Sequence, residues 1–310
     1  IPEFSFKPKD HIELGKELDL IDVPRAARVA GSRFSYLKNQ AVLLEFGLVR
    51  MAFDVLGKVG FHPIVPPVMI RKEIARKTGY EEAVSETDAF ALKNDDLFLV
   101  GTSEQSIVPY FQDEILAEID LPYRFVGFST CFRREAGSYG KDVHGILRQH
   151  QFDKVEMVSF AHPQKSSQEH DFLLSMGERL MQMLELPYRV MLMCLGELAA
   201  PQAKKYDIEV WIPSQKRYRE THSTSNCTDF QARNFNIRYR DQNGKTDFAH
   251  ILNGTAFSIG RPLIALLENH QQKDGSIRVP KALAEYVGFA EIKPIGTVSR
   301  QSKHGRGDDN

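Results

Sequence analysis

Cys131-Phe132-Arg133-Arg134-Glu135-Ala136-Gly137-Ser138 runs on to Arg148-Gln149-His150-Gln151-Phe152-Asp153-Lys154-Val155-Glu156. The flanks of this stretch, 123–132 and 149–159, are β-rich. Between them lies a polar loop carrying Gly137, Gly140, Lys141, His144, Gly145 and Arg148. The pattern is two strands joined by a glycine-bearing loop. Guanidinium forks suit phosphate oxygens, Phe152 offers a stacking face for a base, and Glu135 and Glu156 accept from amino groups. Together they could hold ATP and an attached cationic substrate. On composition alone, a solvated hairpin with scattered salt bridges is the stronger reading.

Outward from this centre, further short β-rich runs at 97–100, 188–194, 206–212 and 237–239 follow one another without regular β-α-β alternation. An amphipathic pattern over 36–59 predicts a helix ended by Gly60. A second helix is expected over 166–186, opened by a capping box of Ser166 and Glu169, and a third after Gly260. Pro63, Pro66 and Pro67 impose extended backbone on the segment after the first helix. Strands clustered in this way predict an α+β fold, an antiparallel sheet flanked by helices.

Two more clusters carry chemistry. Glu220 and Ser223, in Tyr218-Arg219-Glu220-Thr221-His222-Ser223, are hard oxygen donors of the kind Mg²⁺ takes beside phosphates; a Ser/Thr-rich capped turn is an equal alternative. Leu252-Asn253-Gly254-Thr255-Ala256-Phe257-Ser258-Ile259-Gly260-Arg261 leads into a helix with Pro262 at its start, a favourable place for proline. An arginine there opposes the helix dipole, which favours a ligand role for Arg261. His222 and His250 lack metal-ligand spacing.

The whole chain sets outer bounds. Its 310 residues, 42% hydrophobic and 26% charged, suffice for one large domain. A net charge of −1 excludes a global basic field, so any nucleic-acid contact must be local. The three cysteines, Cys131, Cys194 and Cys227, form no C-x-x-C pair, which points to a reducing, cytoplasmic setting and no zinc. No run is long and apolar enough for a membrane helix, so no membrane partner is expected. Gly-rich phosphate loops and the common hydrolase motifs are absent.

The three clusters, in this order, resemble the motifs of class II aminoacyl-tRNA synthetases. Phe132-Arg133-x-Glu135 is similar to motif 2, Gly260-Arg261 to the end of motif 3, and the segment from Gly60 to Met69 to motif 1, which forms the dimer interface in that class. Within the class, several stretches resemble the seryl enzymes of the bacterial and eukaryotic type. These are Arg148 to Glu156, Asn226 to Arg233, Leu267-Glu268-Asn269 with Asp274-Gly275-Ser276, Thr102-Ser103-Glu104, and Ala26 to Phe34. The resemblance runs from about residue 10 to about residue 290.

Carried over position by position, it implies an enzyme that activates serine with ATP and transfers it to the acceptor end of tRNA(Ser), and also tRNA(Sec). Arg133 and Arg261 would be catalytic. Arg133, Arg134, Glu135, Arg148, Phe152, Glu220, Thr221, His222, Ser223 and Arg261 would bind ATP, with Glu220 and Ser223 holding Mg²⁺. Thr102, Ser103, Glu104, Arg133, Glu156, Asn253 and Thr255 would bind serine. A homodimer through residues 60–69 follows from the same resemblance.

That family carries an N-terminal coiled-coil arm, and no heptad run precedes Ala26. Residues 1–25 are therefore expected to be a connector from such an arm, 26–296 the catalytic domain, and 297–310 a disordered tail. Two rival functions remain at this level: loading of an amino acid onto a carrier protein, and a non-catalytic paralogue.

Overall fold

The computed structural model describes residues 1–79, 89–135 and 145–294. At its centre is a seven-stranded sheet. Its strands are β1 (Phe61–Ile64), β2 (Tyr123–Phe132), β3 (Gln151–Ala161), β4 (Tyr188–Leu192), β5 (Lys204–Ile212), β6 (Arg217–Asn226) and β7 (His250–Ser258). The spatial order is β4-β5-β6-β7-β3-β2-β1. Neighbours are antiparallel except β1 and β2, which run parallel. Pro63 sits in β1, the edge strand, where a missing N–H is tolerated. The expected α+β class is the one that forms.

Three helices cover one face: α1 (Gln40–Gly57), α2 (Ser166–Met183) and α3 (Gly260–Asn269). Leu44, Leu48 and Met51 of α1, Leu173 and Leu180 of α2, and Leu263 and Leu267 of α3 share one buried cluster with Val126, Val155, Met157 and Ile208 of the sheet. Strand side chains alternate between faces, so Val158 and Phe160 of β3 fall on the opposite face. There they pack with Phe125, Ile251, Ile107 and Phe235 in a second cluster. Lys154 and Glu156 have the same parity as Val158 and Phe160, so β3 sends an ion pair and a piece of apolar core to the same side of the sheet.

Two expectations need correction. The first helix begins at Gln40, because Asn39 has a positive φ of 50° and Tyr36–Leu37 instead pairs with Ile21–Asp22. The capping box does not form. Ser166 already lies inside the helix, and its hydroxyl donates to the Pro163 carbonyl at 3.0 Å. Glu169 is held instead by Arg124, at 2.7 and 2.6 Å, and by the Ser159 hydroxyl at 2.7 Å. A half-buried guanidinium outcompetes a backbone N–H for that carboxylate.

Gly127 in β2 shows why the segment 102–107 can lie on the sheet. A Cβ there would come within 2.4 Å of Ile107 Cδ1. The missing side chain lets the short helix Glu104–Ile107, and the Thr102-Ser103-Glu104 turn before it, settle close above the strand. Among the described residues no helix is long and apolar enough to cross a membrane.

Candidate active site

A cleft opens on the sheet face away from the three helices, and it has two lobes. The larger, about 650 Å³, is bordered by Thr102, Glu104, Arg133, Lys154, Glu156, Glu220, Ser223 and Asn253. The smaller, about 290 Å³, is bordered by Arg133, Glu135, Arg148, Phe152, Lys154, Glu220, Thr221, Ser223, Thr255 and Arg261. Arg133, Lys154, Glu220 and Ser223 border both, so the lobes meet at two cations, a carboxylate and a hydroxyl.

Two irregularities in the sheet create this lining. In β6, Ile208 pairs with His222 and Glu209 with Glu220, which leaves Thr221 as an extra residue. In a regular strand, residues 220 and 223 would point to opposite faces. The bulge resets the alternation, and Glu220 and Ser223 both reach the cleft. In β7, Thr255 pairs with Glu156 and Phe257 with Val155, leaving Ala256 extra. The same reset lets Thr255 and Ser258 line the smaller lobe together.

His222 ties the two bulges together. Burial pulls its pKa down to about 4, so the ring is neutral. Its Nε2–H donates to the Ala256 carbonyl at 2.7 Å, and its Nδ1 lies 2.8 Å from the Thr221 hydroxyl, which donates to the Ile208 carbonyl at 3.1 Å. The direct ladder between β6 and β7 runs only from Asn226 to Thr224, so the imidazole bridges the strands where they part. His222→Leu keeps the bulk and leaves the Ala256 carbonyl without its donor. The unfolding free energy should fall by about 1–3 kcal/mol in urea titrations; an unchanged midpoint would mean that the bridge contributes nothing.

The Arg133 guanidinium donates from Nε to the Gly101 carbonyl at 3.1 Å and stands 5.4 Å from the Phe152 ring centroid. Arg148 Nε lies 2.9 Å from Glu135 Oε2. At the far wall, Arg261 Nη1 donates to the Glu220 carbonyl oxygen at 2.6 Å and lies 3.3 Å from its carboxylate. That contact offsets the unfavourable place of an arginine at the start of α3. Enclosure pushes the Glu220 carboxyl up, but Arg261, Lys205 and Arg133 together outweigh it and hold it below its usual range. One carboxylate and one hydroxyl suit a Mg²⁺ that takes its remaining ligands from phosphates and water. Among the described residues no group of three or more His, Cys, Asp or Glu could hold a metal by itself.

In the larger lobe, Glu104 is buried and accepts from Gln231 Nε2 at 2.8 Å. Glu156 is buried beside Lys154, whose Nζ lies 2.5 Å from Glu156 Oε2 and 3.2 Å from the Thr102 hydroxyl. Asn253 is buried at the lobe's edge, with its Nδ2 3.7 Å from Cys227 Sγ.

Three expected site residues are not presented to the cleft. Arg134 is turned away from the cleft: it donates to the Ala89 carbonyl at 3.0 Å and covers the Phe90 ring. Ser103 is fully buried between the 102–107 segment and the sheet floor at Gly127. The His222 ring is committed to its bridge. Lys141 and His144 lie outside the described residues. Sequence reasoning passed over Lys154 and Lys205, and with them the segment 196–202, which walls the larger lobe. Lys154 was within reach, since positions 154 and 156 of one strand share a face; segment 196–202 carries no comparable signal.

Comparison with known proteins bears directly on this geometry. Residues 89–270 match the family model described as tRNA synthetase class II core domain (G, H, P, S and T). A serine–tRNA ligase of Acidothermus cellulolyticus is 52% identical over 94% of this chain and 69% of its own length. A seryl-tRNA synthetase from Pyrococcus horikoshii, solved with ATP, superposes with a TM-score of 0.91 at 45% identity, over 94% of this chain and 65% of that one. The cytoplasmic serine–tRNA ligase of Naegleria fowleri, solved with AMP, gives a TM-score of 0.89 at 34% identity, over 95% of this chain and 70% of that one. The chain thus spans about two thirds of the length of these relatives. On these matches and on the residues gathered in its cleft, the chain belongs to the serine–tRNA ligases of the class II aminoacyl-tRNA synthetases.

Proposed function

We propose that this domain joins serine to ATP as seryl-adenylate, releasing pyrophosphate, and passes the seryl group to the 3′-terminal adenosine of tRNA(Ser). The observation that carries this reading is the junction of the two lobes at Arg133, Lys154, Glu220 and Ser223. ATP lies in the smaller lobe, with its base on Phe152 under Arg261, its amino group toward Glu135, and its outer phosphates toward Arg148. Serine lies in the larger lobe among Thr102, Glu104, Glu156 and Asn253. Its carboxylate oxygen then attacks the α-phosphorus in line, and the bond to the pyrophosphate oxygen breaks. Arg133 spans both partners there and neutralises charge as it develops. Mg²⁺, when bound at Glu220 and Ser223, supplies charge neutralisation of the phosphates.

Two features extend the proposal to the assembly. Val65 and Met69, within the motif 1 segment, are 75% and 50% exposed, and an apolar surface of this kind suits a partner protomer. We therefore include a homodimer through residues 60–69; the cysteines, without a C-x-x-C pair, support a cytoplasmic enzyme. The test is serine-dependent exchange of labelled pyrophosphate into ATP. Alanine should support exchange about 10⁴-fold less well, because it offers no hydroxyl to the buried acceptor Glu156. Absence of exchange with every amino acid would remove the reading. Charging of tRNA(Ser), set beside charging of a carrier protein, decides the acceptor.

A further inference from the structure

The Lys154 side chain is only 9% exposed, yet it borders both lobes. An ammonium has three N–H donors. One goes to the Thr102 hydroxyl at 3.2 Å, and the ammonium as a whole forms an ion pair with Glu156, its Nζ 2.5 Å from Oε2. The ammonium has no other hydrogen-bond partner among the described residues. Both partnered groups are on the wall assigned to serine, and the remaining donor belongs to a residue at the junction with the nucleotide lobe.

Glu156 needs such a neighbour. It is 1% exposed and lies between Gly127 of β2 and Thr255 of β7 in the ladder. A carboxylate so enclosed is costly to ionise unless paired. Burial outweighs its partners and leaves the Glu156 carboxyl above its usual range; Lys154 opposes that shift more than any other group, ahead of Arg133 and Thr255. A protonated Glu156 would lose one acceptor for the substrate hydroxyl and all attraction for the substrate ammonium. The parity of β3 enforces the partnership, because Lys154 and Glu156 are two residues apart on one face.

We propose that Lys154 is a substrate-contacting residue of the adenylation step: it pairs with Glu156 and fixes that carboxyl as an acceptor for serine, and it gives a free N–H to the serine carboxylate as that group meets the α-phosphate. The proposal rests on the serine-activation reading above. It adds a second cation to the junction, beside Arg133, with a different task. Arg133 spans serine and phosphate, whereas Lys154 ties the carboxylate of serine to the residue that recognises the other end of the same small molecule.

The experiment compares wild type with Lys154→Met and Lys154→Gln in serine-dependent pyrophosphate exchange across pH. The charged groups facing Glu156 are Lys154 and Arg133. Removing the first raises the Glu156 pKa further, and the working form is the anion. The acid limb of kcat/KM for serine should therefore move to higher pH in both variants, and raising the pH should restore part of the loss. KM for serine should rise by about tenfold or more, while KM for ATP changes by less than about threefold. Lys154→Gln, close to lysine in size and polarity, serves as the folded comparison where the apolar Lys154→Met is poorly soluble. Wild-type serine KM and a superimposable pH profile in a folded variant would overturn the proposal while wild-type exchange still stood. Loss of exchange in wild type with every amino acid would overturn the function itself.

Discussion

Arg133→Ala is expected to abolish serine-dependent pyrophosphate exchange, with a fall of about a thousandfold or more. Loss of a single preorganised donor at a developing charge costs about a hundredfold to a thousandfold in rate, and Arg133 brings several donors to the point where both lobes meet. The fold should survive the change. The backbone N–H of Arg133 bonds to the His150 carbonyl at 2.9 Å and its own carbonyl contacts His150 Nδ1 at 2.9 Å, and neither contact needs the side chain. The guanidinium's own protein contacts are the Gly101 carbonyl and the face of Phe152. Arg133→Lys should recover only part of the activity, because a point charge cannot engage carboxylate and phosphate as a planar fork does. Near-normal exchange in a folded Arg133→Ala protein would remove the central assignment of the site.

How much of this site could be read beforehand depended on whether its chemistry was local. The segment Phe132 to Glu135 and the run Arg148 to Glu156 are short, dense and adjacent in sequence, and they form the centre of the cleft. The limits of β2 were legible to the residue, because Tyr123–Phe132 is a continuous β-rich run. The fold of Arg217–Asn226 was not. Its Thr, Ser and Asn residues are equally at home in turns, and only pairing with Lys204–Ile212 on one side and His250–Ser258 on the other makes it a strand. The bulges at Thr221 and Ala256 were beyond reach for the same reason. A bulge is a mismatch between two strands and leaves no mark on one of them alone. Arg134 and Ser103 have side chains turned to the Ala89 carbonyl and into the core, directions that family position does not encode. The first helix is shorter than its amphipathic pattern because Asn39 breaks it by backbone conformation, which its neighbours in sequence do not announce.

The second large effect lies on the opposite face of the sheet. Arg124 in β2 pairs across the ladders with Phe61 of β1 and Ser159 of β3. Its guanidinium grips Glu169 of α2 through two hydrogen bonds and lies 4.3 Å from the Phe172 ring centroid. Ser159 donates a third hydrogen bond to the same carboxylate. One ion pair thus ties α2 to both central strands beside the motif 1 strand, with the Glu169 side chain only 6% exposed. Arg124→Met removes the cation and leaves a buried carboxylate with a hydroxyl as its nearest support. Breaking such a pair from one side costs about 3–5 kcal/mol, a large share of the roughly 5–15 kcal/mol by which a domain is stable. Urea unfolding should show that loss. Adding Glu169→Leu should return much of it, because the orphaned charge goes with it. Arg124 points away from the cleft, so KM for ATP and serine in the folded fraction should match wild type. A single variant as stable as wild type would mean that the Arg124–Glu169 pair contributes nothing to the fold. Changed substrate KM values would mean that the helix layer and the cleft are coupled through β2.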